Sequence, residues 1–304
     1  MKRLKLKRST RNKLTGLLFI LPWIIGFIAF TLVPFIQTAR FSLSKVYFRA
    51  DGIFMEFVGI KNFTDVLLVD PDFKLKIPEF LKNMFLFVPM VLVFSIILSV
   101  LLNARIRGKR IFRAVYFLPV ILMSGPVINN LVNMQATTLK GVSTFFVYEF
   151  IAKHFPTVLS MPILYIFDNV VLFLWFSGVP ILIFLSGLQK TDQSIYEAAK
   201  VDGASAWQQF WKITMTTLKP FVFLNAIYTI VEVSNSALNP FIAIIKKSMF
   251  EGDKGFGFAA AATWIYFAMI LLAVVTAFLL LGRGEKEEKV KKERRRRKHG
   301  KKSA

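Results

Sequence analysis

The chain has no cysteine, which excludes disulfides, thiolate metal sites and cysteine nucleophiles. It has only two histidines, His154 and His299, too far apart in sequence to form a recognisable metal-ligand motif. Acidic residues are scarce, 18 against 40 lysines and arginines, and none pair in a recognisable hydrolase setting. No Gly-x-x-x-x-Gly-Lys-Ser/Thr loop occurs, so the chain has no conventional phosphate cradle for ATP. These absences leave no candidate catalytic residue, no candidate metal ligand and no cofactor bound by this chain.

What the chain has instead is apolar surface. The hydrophobic fraction is 55%, with 33 phenylalanines, and the mean hydropathy is +0.55. A soluble protein of 304 residues has too little interior to hide so much, so lipid is its solvent. A net charge of +22 would point to nucleic acid in a soluble protein. Here the cations sit mostly at the ends and in short loops, which fits a membrane surface and makes lipid, not nucleic acid, the partner.

Six stretches are long and apolar enough to span: Leu14–Thr38, Phe80–Asn103, Phe112–Met134, Asn169–Leu188, Phe221–Ile245 and Phe258–Gly282. The first has too long an apolar core for a secretory signal and no small-x-small cleavage site after it, so it reads as a retained anchor. With six spans, 28 of the 40 cations fall on one side, which makes that side and both termini cytoplasmic. The expected fold is an all-α membrane protein of six transmembrane helices. Its parts are a basic N-terminus (1–13), a spanning domain (14–282) and a basic tail (283–304) resting as a disordered segment on anionic headgroups. Residues 41–79, punctuated by Gly59, Asn62, Pro71 and Pro78, read as short amphipathic pieces on the outer face. Phe145, Phe146, Tyr148, Phe150 and Ile151 mark an interfacial or half-inserted segment within 135–167.

The polar stretch 197–220 interrupts this membrane-like pattern between the fourth and fifth spans, within a loop covering 189–220. Asp192 or Ser194 caps a helix near Ile195, and Gly203 supplies the positive φ that ends it. The small Ala198 and Ala199 allow close approach by a partner surface. Trp207, Phe210 and Trp211 then recur at helical spacing, and Pro220 opens the fifth span. A short helix, a glycine turn and a second short helix closed by proline make a docking surface.

Tyr196-Glu197-Ala198-Ala199 with Asp202-Gly203-Ala204, Phe210, Ile213 and Pro220 resembles the EAA loop of binding-protein-dependent ABC transporter permeases. That family places a proline two or three residues after the isoleucine, where this chain has Met215 and Thr216. Leu21-Pro22-Trp23 through Pro34-Phe35, Phe57-Val58-Gly59-Ile60-Lys61-Asn62-Phe63, and Arg107-Gly108-Lys109-Arg110 with Tyr116-Phe117-Leu118-Pro119 extend the likeness. Together they are similar to the first permease of a heterodimeric carbohydrate importer, of the maltose, multiple-sugar or glycerol-phosphate type. Residues 134–167 depart from the family pattern.

The resemblance implies the type I importer permease fold in a bacterial inner membrane. It implies a coupling helix seated in a cleft of a separate ATPase, formed here by Tyr196, Glu197, Ala198, Ala199, Asp202, Gly203, Ala204 and Phe210. The implied partners are a second permease, two copies of a cytoplasmic ATPase that hold ATP and magnesium, and an external solute-binding protein.

Polar residues at membrane depth usually face an interior or a pathway. Asn129, Asn130 and Asn133 end the third span; in the fifth, Asn225, Tyr228, Glu232, Asn235 and Asn239 step by three or four and share one face. Amide, phenol and carboxyl groups suit sugar hydroxyls, and Trp175, Trp264 and Tyr266 offer faces for a pyranose; interhelical hydrogen bonds to the partner permease are the structural alternative. A secondary transporter predicts inverted repeats and ion-coupling acids, of which only Glu232 is visible. A membrane-embedded glycan enzyme needs clustered interfacial acids, and here they are single. Both rivals leave the 197–220 loop unexplained.

Overall fold

A computed structural model describes residues 8–49, 52–103, 146–168, 170–236, 239–252 and 254–282. The expected third span with Asn129, Asn130 and Asn133, and the basic tail, lie outside the described residues. The described residues form helices and one two-stranded sheet. Three helical stretches are long and apolar enough to cross a bilayer, 15–42, 71–103 and 255–281, and up to five if each of two bent helix pairs counts as a span.

Helix α1 (Arg8–Phe27) passes through a single π-helical turn at Ile28–Leu32 into α2 (Val33–Ser42). The wider turn lies directly before Pro34, where a proline ring would otherwise press on the carbonyl four residues back. No residue in the most apolar part of this stretch is buried, and Phe19, Trp23 and Phe30 stand well exposed, an arrangement that only lipid or a partner helix accommodates.

Strands β1 (Ser44–Arg49) and β2 (Gly52–Phe57) then form an antiparallel hairpin, with Lys45 opposite Glu56. The hairpin departs from the short amphipathic pieces expected over 41–79, although Asp51-Gly52 between aromatic and β-branched runs is a hairpin signal. Short helical pieces follow it, α3 (Lys61–Thr64) and a π-helical turn at Asp65–Val69, but from Pro71 the chain is already in the long apolar helix α4 (Pro71–Asn103).

The chain divides into two compact units. In the unit made of Met1–Ile77 and Ala243–Phe267, polar contacts knit short elements together. Asn62 donates its amide hydrogens to the carbonyls of Ser42 and Ser44 at 2.9 and 3.0 Å. Asp70 accepts from the Phe73 amide at 3.0 Å and pairs with Lys254 at 2.8 Å. Lys254 also reaches Glu251 at 2.8 Å, while Phe73 meets Phe258 edge-on at 5.6 Å.

The other unit, Pro78–Ile242 and Ala268–Ala304, contains α5 (Phe146–His154), α6 (Thr157–Asp168), α7 (Val170–Leu188), α8 (Gln193–Val201), α9 (Ala206–Gln209) and α10 (Met215–Asn235). Helices α11 (Pro240–Ser248) and α12 (Gly255–Leu281) run across the unit boundaries. Phe87 of α4 stacks on Phe173 of α7 at 4.7 Å and meets Phe176 edge-on at 5.5 Å. A second cluster joins Met84, Val88 and Leu92 to Phe184, Leu218 and Ile230. Ser95 and Ser99, both fully buried, return their hydroxyls to carbonyls of their own helix at 2.6 and 2.8 Å, which satisfies them within an apolar interior.

Candidate functional site

The loop after α7 begins with a helix whose ends are both sealed. Asp192 accepts the Ser194 amide at 3.0 Å, so α8 starts at Gln193, two residues before the expected Ile195. This backbone contact, the largest influence on Asp192, holds its carboxyl below the usual carboxylate value. At the other end Gly203 takes φ +77°. The Ala204 amide reaches back to the Ala199 carbonyl at 2.9 Å and the Gly203 amide to Lys200 at 3.0 Å. This double closure of a helix end needs a left-handed residue, and glycine takes that conformation without a Cβ penalty.

The chain then restarts with a reciprocal cap. Ser205 accepts the Gln208 amide at 3.3 Å, and the Gln208 side chain accepts the Ser205 amide at 3.0 Å. The Ser205-x-x-Gln208 spacing is itself a sequence signature of this cap. Gln209, buried, donates to the Ala204 carbonyl at 2.8 Å and ties the turn together. After α9, a π-helical turn at Phe210–Thr214 leads directly into α10. The second helix is therefore not closed by Pro220: it runs through the proline to Asn235, because one missing amide is cheaper than breaking a long apolar helix.

Of the residues expected to dock a partner, Glu197, Ala198, Asp202 and Gly203 are exposed, while Ala199, Ala204 and Phe210 are half-buried. Tyr196 turns away from that face, its hydroxyl 2.9 Å from that of Thr214. Apolar side chains crowd the outside of the corner: Val201 is 88% exposed and Trp207 69%, and Trp207 and Trp211 meet edge-on at 5.5 Å. A corner this apolar and this rigidly capped has the character of an interface.

The polar stripe on α10 divides by depth. Asn225 is fully buried and donates to the Pro180 carbonyl of α7 at 3.4 Å, so its amide serves an interhelical bond within the chain. Tyr228 and Glu232, one turn apart, lie within hydrogen-bonding reach of each other. Asn235 is exposed and donates to the Val231 carbonyl at 3.0 Å. Asn239 accepts the Phe241 amide at 3.0 Å and caps α11. Among the described residues, four buried polar atoms have no partner: Trp175 Nε1, Asn225 Oδ1, Thr229 Oγ1 and one Glu232 carboxylate oxygen. Three of these residues lie on α10 and the fourth on α7, which packs against it. Thr229 does not stand out in the sequence, because an isolated threonine among apolar residues usually bonds its own helix.

A cavity of about 370 Å³ between α4, α10 and α12 is lined by Val88, Leu92, Ala226, Ile230 and Ala273 among other residues, apolar but for Thr276. It has almost nothing to offer a hydroxylated solute.

Residues 76–283 match the family described as binding-protein-dependent transport system inner membrane component. The chain belongs to this family, and it is a multi-pass membrane transport subunit rather than an enzyme. It is 27% identical to the probable ABC transporter permease protein YesP of Bacillus subtilis (strain 168), over 90% of this chain and 93% of the relative. It is 31% identical to the multiple sugar-binding transport system permease protein MsmF of Streptococcus mutans, over 72% and 75%. In fold it resembles a chain in the crystal structure of a bacterial ABC transporter involved in the import of the acidic polysaccharide alginate. The TM-score is 0.60 at 18% identity, with 91% of this chain and 98% of that one covered.

Proposed function

We propose that this chain is one of two translocation subunits of an ATP-driven importer in a bacterial inner membrane, with both termini cytoplasmic, and that its solute is a sugar or oligosaccharide. The observation that carries the coupling role is α8, a helix sealed at both ends whose Glu197, Ala198 and Asp202 stand exposed at an apolar corner. A docked ATPase finds there a small-residue surface with a fixed orientation. Two ATPase copies closing on ATP and magnesium push α8, and the spans rock between inward and outward openings. A solute-binding protein delivers its cargo to the outer face, a role supported by the alginate transporter structure in complex with an alginate pentasaccharide-bound periplasmic protein. The relatives named for multiple sugars, lactose and arabino-oligosaccharides support the solute class. Tyr228, Glu232 and Asn235 are the described pathway residues, with Asn129 and Asn133 from the third span; Asn225 serves as their buried anchor.

The test is reconstitution with the partner permease, ATPase and binding protein, following uptake of maltose, lactose and arabino-oligosaccharides beside ATP hydrolysis. Glu197→Lys and Gly203→Asp are expected to leave the permease pair assembled and to reduce ATPase retention or uptake at least tenfold. Unchanged uptake in both would remove the coupling role. Failure of the parent to move any of these sugars would remove the solute class.

A further inference from the structure

Tyr196 carries the docking motif's hydroxyl inward onto a specific partner, the buried Thr214. That contact is the first rung of a ladder. Thr191 donates to Thr217 at 3.2 Å, and Thr217 donates in turn to the Ile213 carbonyl at 3.0 Å. Next, α7 and α10 touch backbone to ring: a methyl at Gly187 would come within 2.7 Å of Phe221, and Lys190 lies over the same ring at 5.2 Å. The last rung is Asn225 on the Pro180 carbonyl. Positions 214, 217, 221 and 225 step by three or four and so follow one face of the helix that enters and forms α10.

The connection between α8 and α9 is only Asp202 to Ser205, and a Cβ added at Gly203 meets nothing within 4 Å. Side-chain packing around that glycine therefore adds nothing to the backbone bonds and the Gln209 tie that close the turn. The 65° bend between α7 and α8 is held by side chains that reach across to the foot of α10.

The geometry points to Tyr196 as a positioning residue: its hydroxyl bond to Thr214 locks α8 to the foot of α10, so that both move as one body. A push on α8 then reaches Tyr228, Glu232 and Asn235 directly rather than through the turn at Gly203. This rests on α8 being the helix the ATPase pushes.

The absence of native cysteine makes the test clean. Spin labels at Lys200→Cys on α8 and Lys219→Cys on α10 report their separation by pulsed electron resonance in the full reconstituted complex, with and without MgATP. One separation in both nucleotide states is expected for the parent sequence. Tyr196→Phe and Thr214→Val should each broaden or shift it while the ATPase stays bound. Each should also raise ATP hydrolysis in the absence of solute by about threefold to tenfold, the factor that one neutral hydrogen bond sets. The double variant should be no worse than either single, because the hydroxyls act as a pair. A separation that changes with MgATP in the parent, or one untouched by both substitutions, overturns the strut. So does a Tyr196→Phe complex that loses its ATPase at unchanged separation, since Tyr196 would then be a direct contact. The label distances speak for the strut even if the parent moves no sugar, the result that sinks the importer reading instead.

Discussion

Asp70 shows how much one side chain can hold at the edge of a membrane. It stops the first turn of α4 from fraying by accepting the Phe73 amide, and it grips Lys254 at the approach to α12. Burial alone would raise its pKa, but Lys254 and the Phe73 amide outweigh burial and hold the carboxyl below its ordinary 3.8. Burial likewise lowers Lys254, and its bonds to Asp70 and Glu251 outweigh that and raise it above 10.5. A depressed acid stabilises above its unfolded value and loses that contribution as pH falls through its folded value. A raised lysine contributes fully below 10.5 and loses only above it. The clasp is thus intact across the neutral range. Asp70→Asn should cost about 2 kcal/mol at neutral pH, as expected for a charge-assisted bond, and progressively less in acid as pH falls through the carboxyl's lowered folded value. Thermal unfolding in detergent at neutral and acid pH checks it, and an equal loss at both would place the effect in packing. Gly257 makes the matching steric point, since a Cβ there would collide with the Ser44 carbonyl. Gly257→Ala should destabilise by about 1–3 kcal/mol, measured the same way.

At the scale of elements, aromatic contacts set how helices meet. Phe173 is fully buried and stacks on Phe87, with Phe94 and Tyr165 also near its ring. Phe173→Ala should cost about 3–5 kcal/mol, and Phe173→Leu markedly less because it keeps most of the volume. A loss below about 1 kcal/mol in thermal unfolding of Phe173→Ala would mean the α4–α7 contact is carried by other residues. Five of the six expected spans overlap described helices, because long apolar runs are legible from hydropathy alone. Their starts are less legible. Helix α4 begins at Pro71, nine residues before Phe80, since Lys74, Lys76 and Glu79 belong to the helix but not to its apolar run. The hairpin hides because strand signals a few residues long are weak beside span signals, even with Asp51-Gly52 present. Pro220 reads as a boundary, as prolines commonly do, and the surrounding apolar helix overrides it. In the site, Asp192, Gly203 and the exposed Glu197 are readable from local chemistry. Thr191, Thr214, Thr217 and Gly187 are not, because their roles exist only once α7 and α10 lie side by side.

For the molecule as a whole, sidedness decides whether any of these parts can work as proposed. An importer needs α8 facing the ATPase and the 44–69 region facing the binding protein, and the asymmetry of lysine and arginine predicts that arrangement. The prediction is sharp because it depends on parity. Lys61 and Lys153 lie on the same side only if two spans separate them, α4 and the 112–134 stretch. Lys200 lies opposite Lys153 only if α7 crosses once. With no native thiol to confuse the result, single cysteines at these three exposed positions can be challenged in spheroplasts with a membrane-impermeant maleimide. Lys61→Cys and Lys153→Cys should react at once, and Lys200→Cys only after permeabilisation. If Lys153→Cys is protected while Lys61→Cys reacts, the 112–134 stretch does not cross and the six-span count falls. If Lys200→Cys reacts from outside, the docking corner is on the wrong face, and no ATPase in the cytoplasm can reach it.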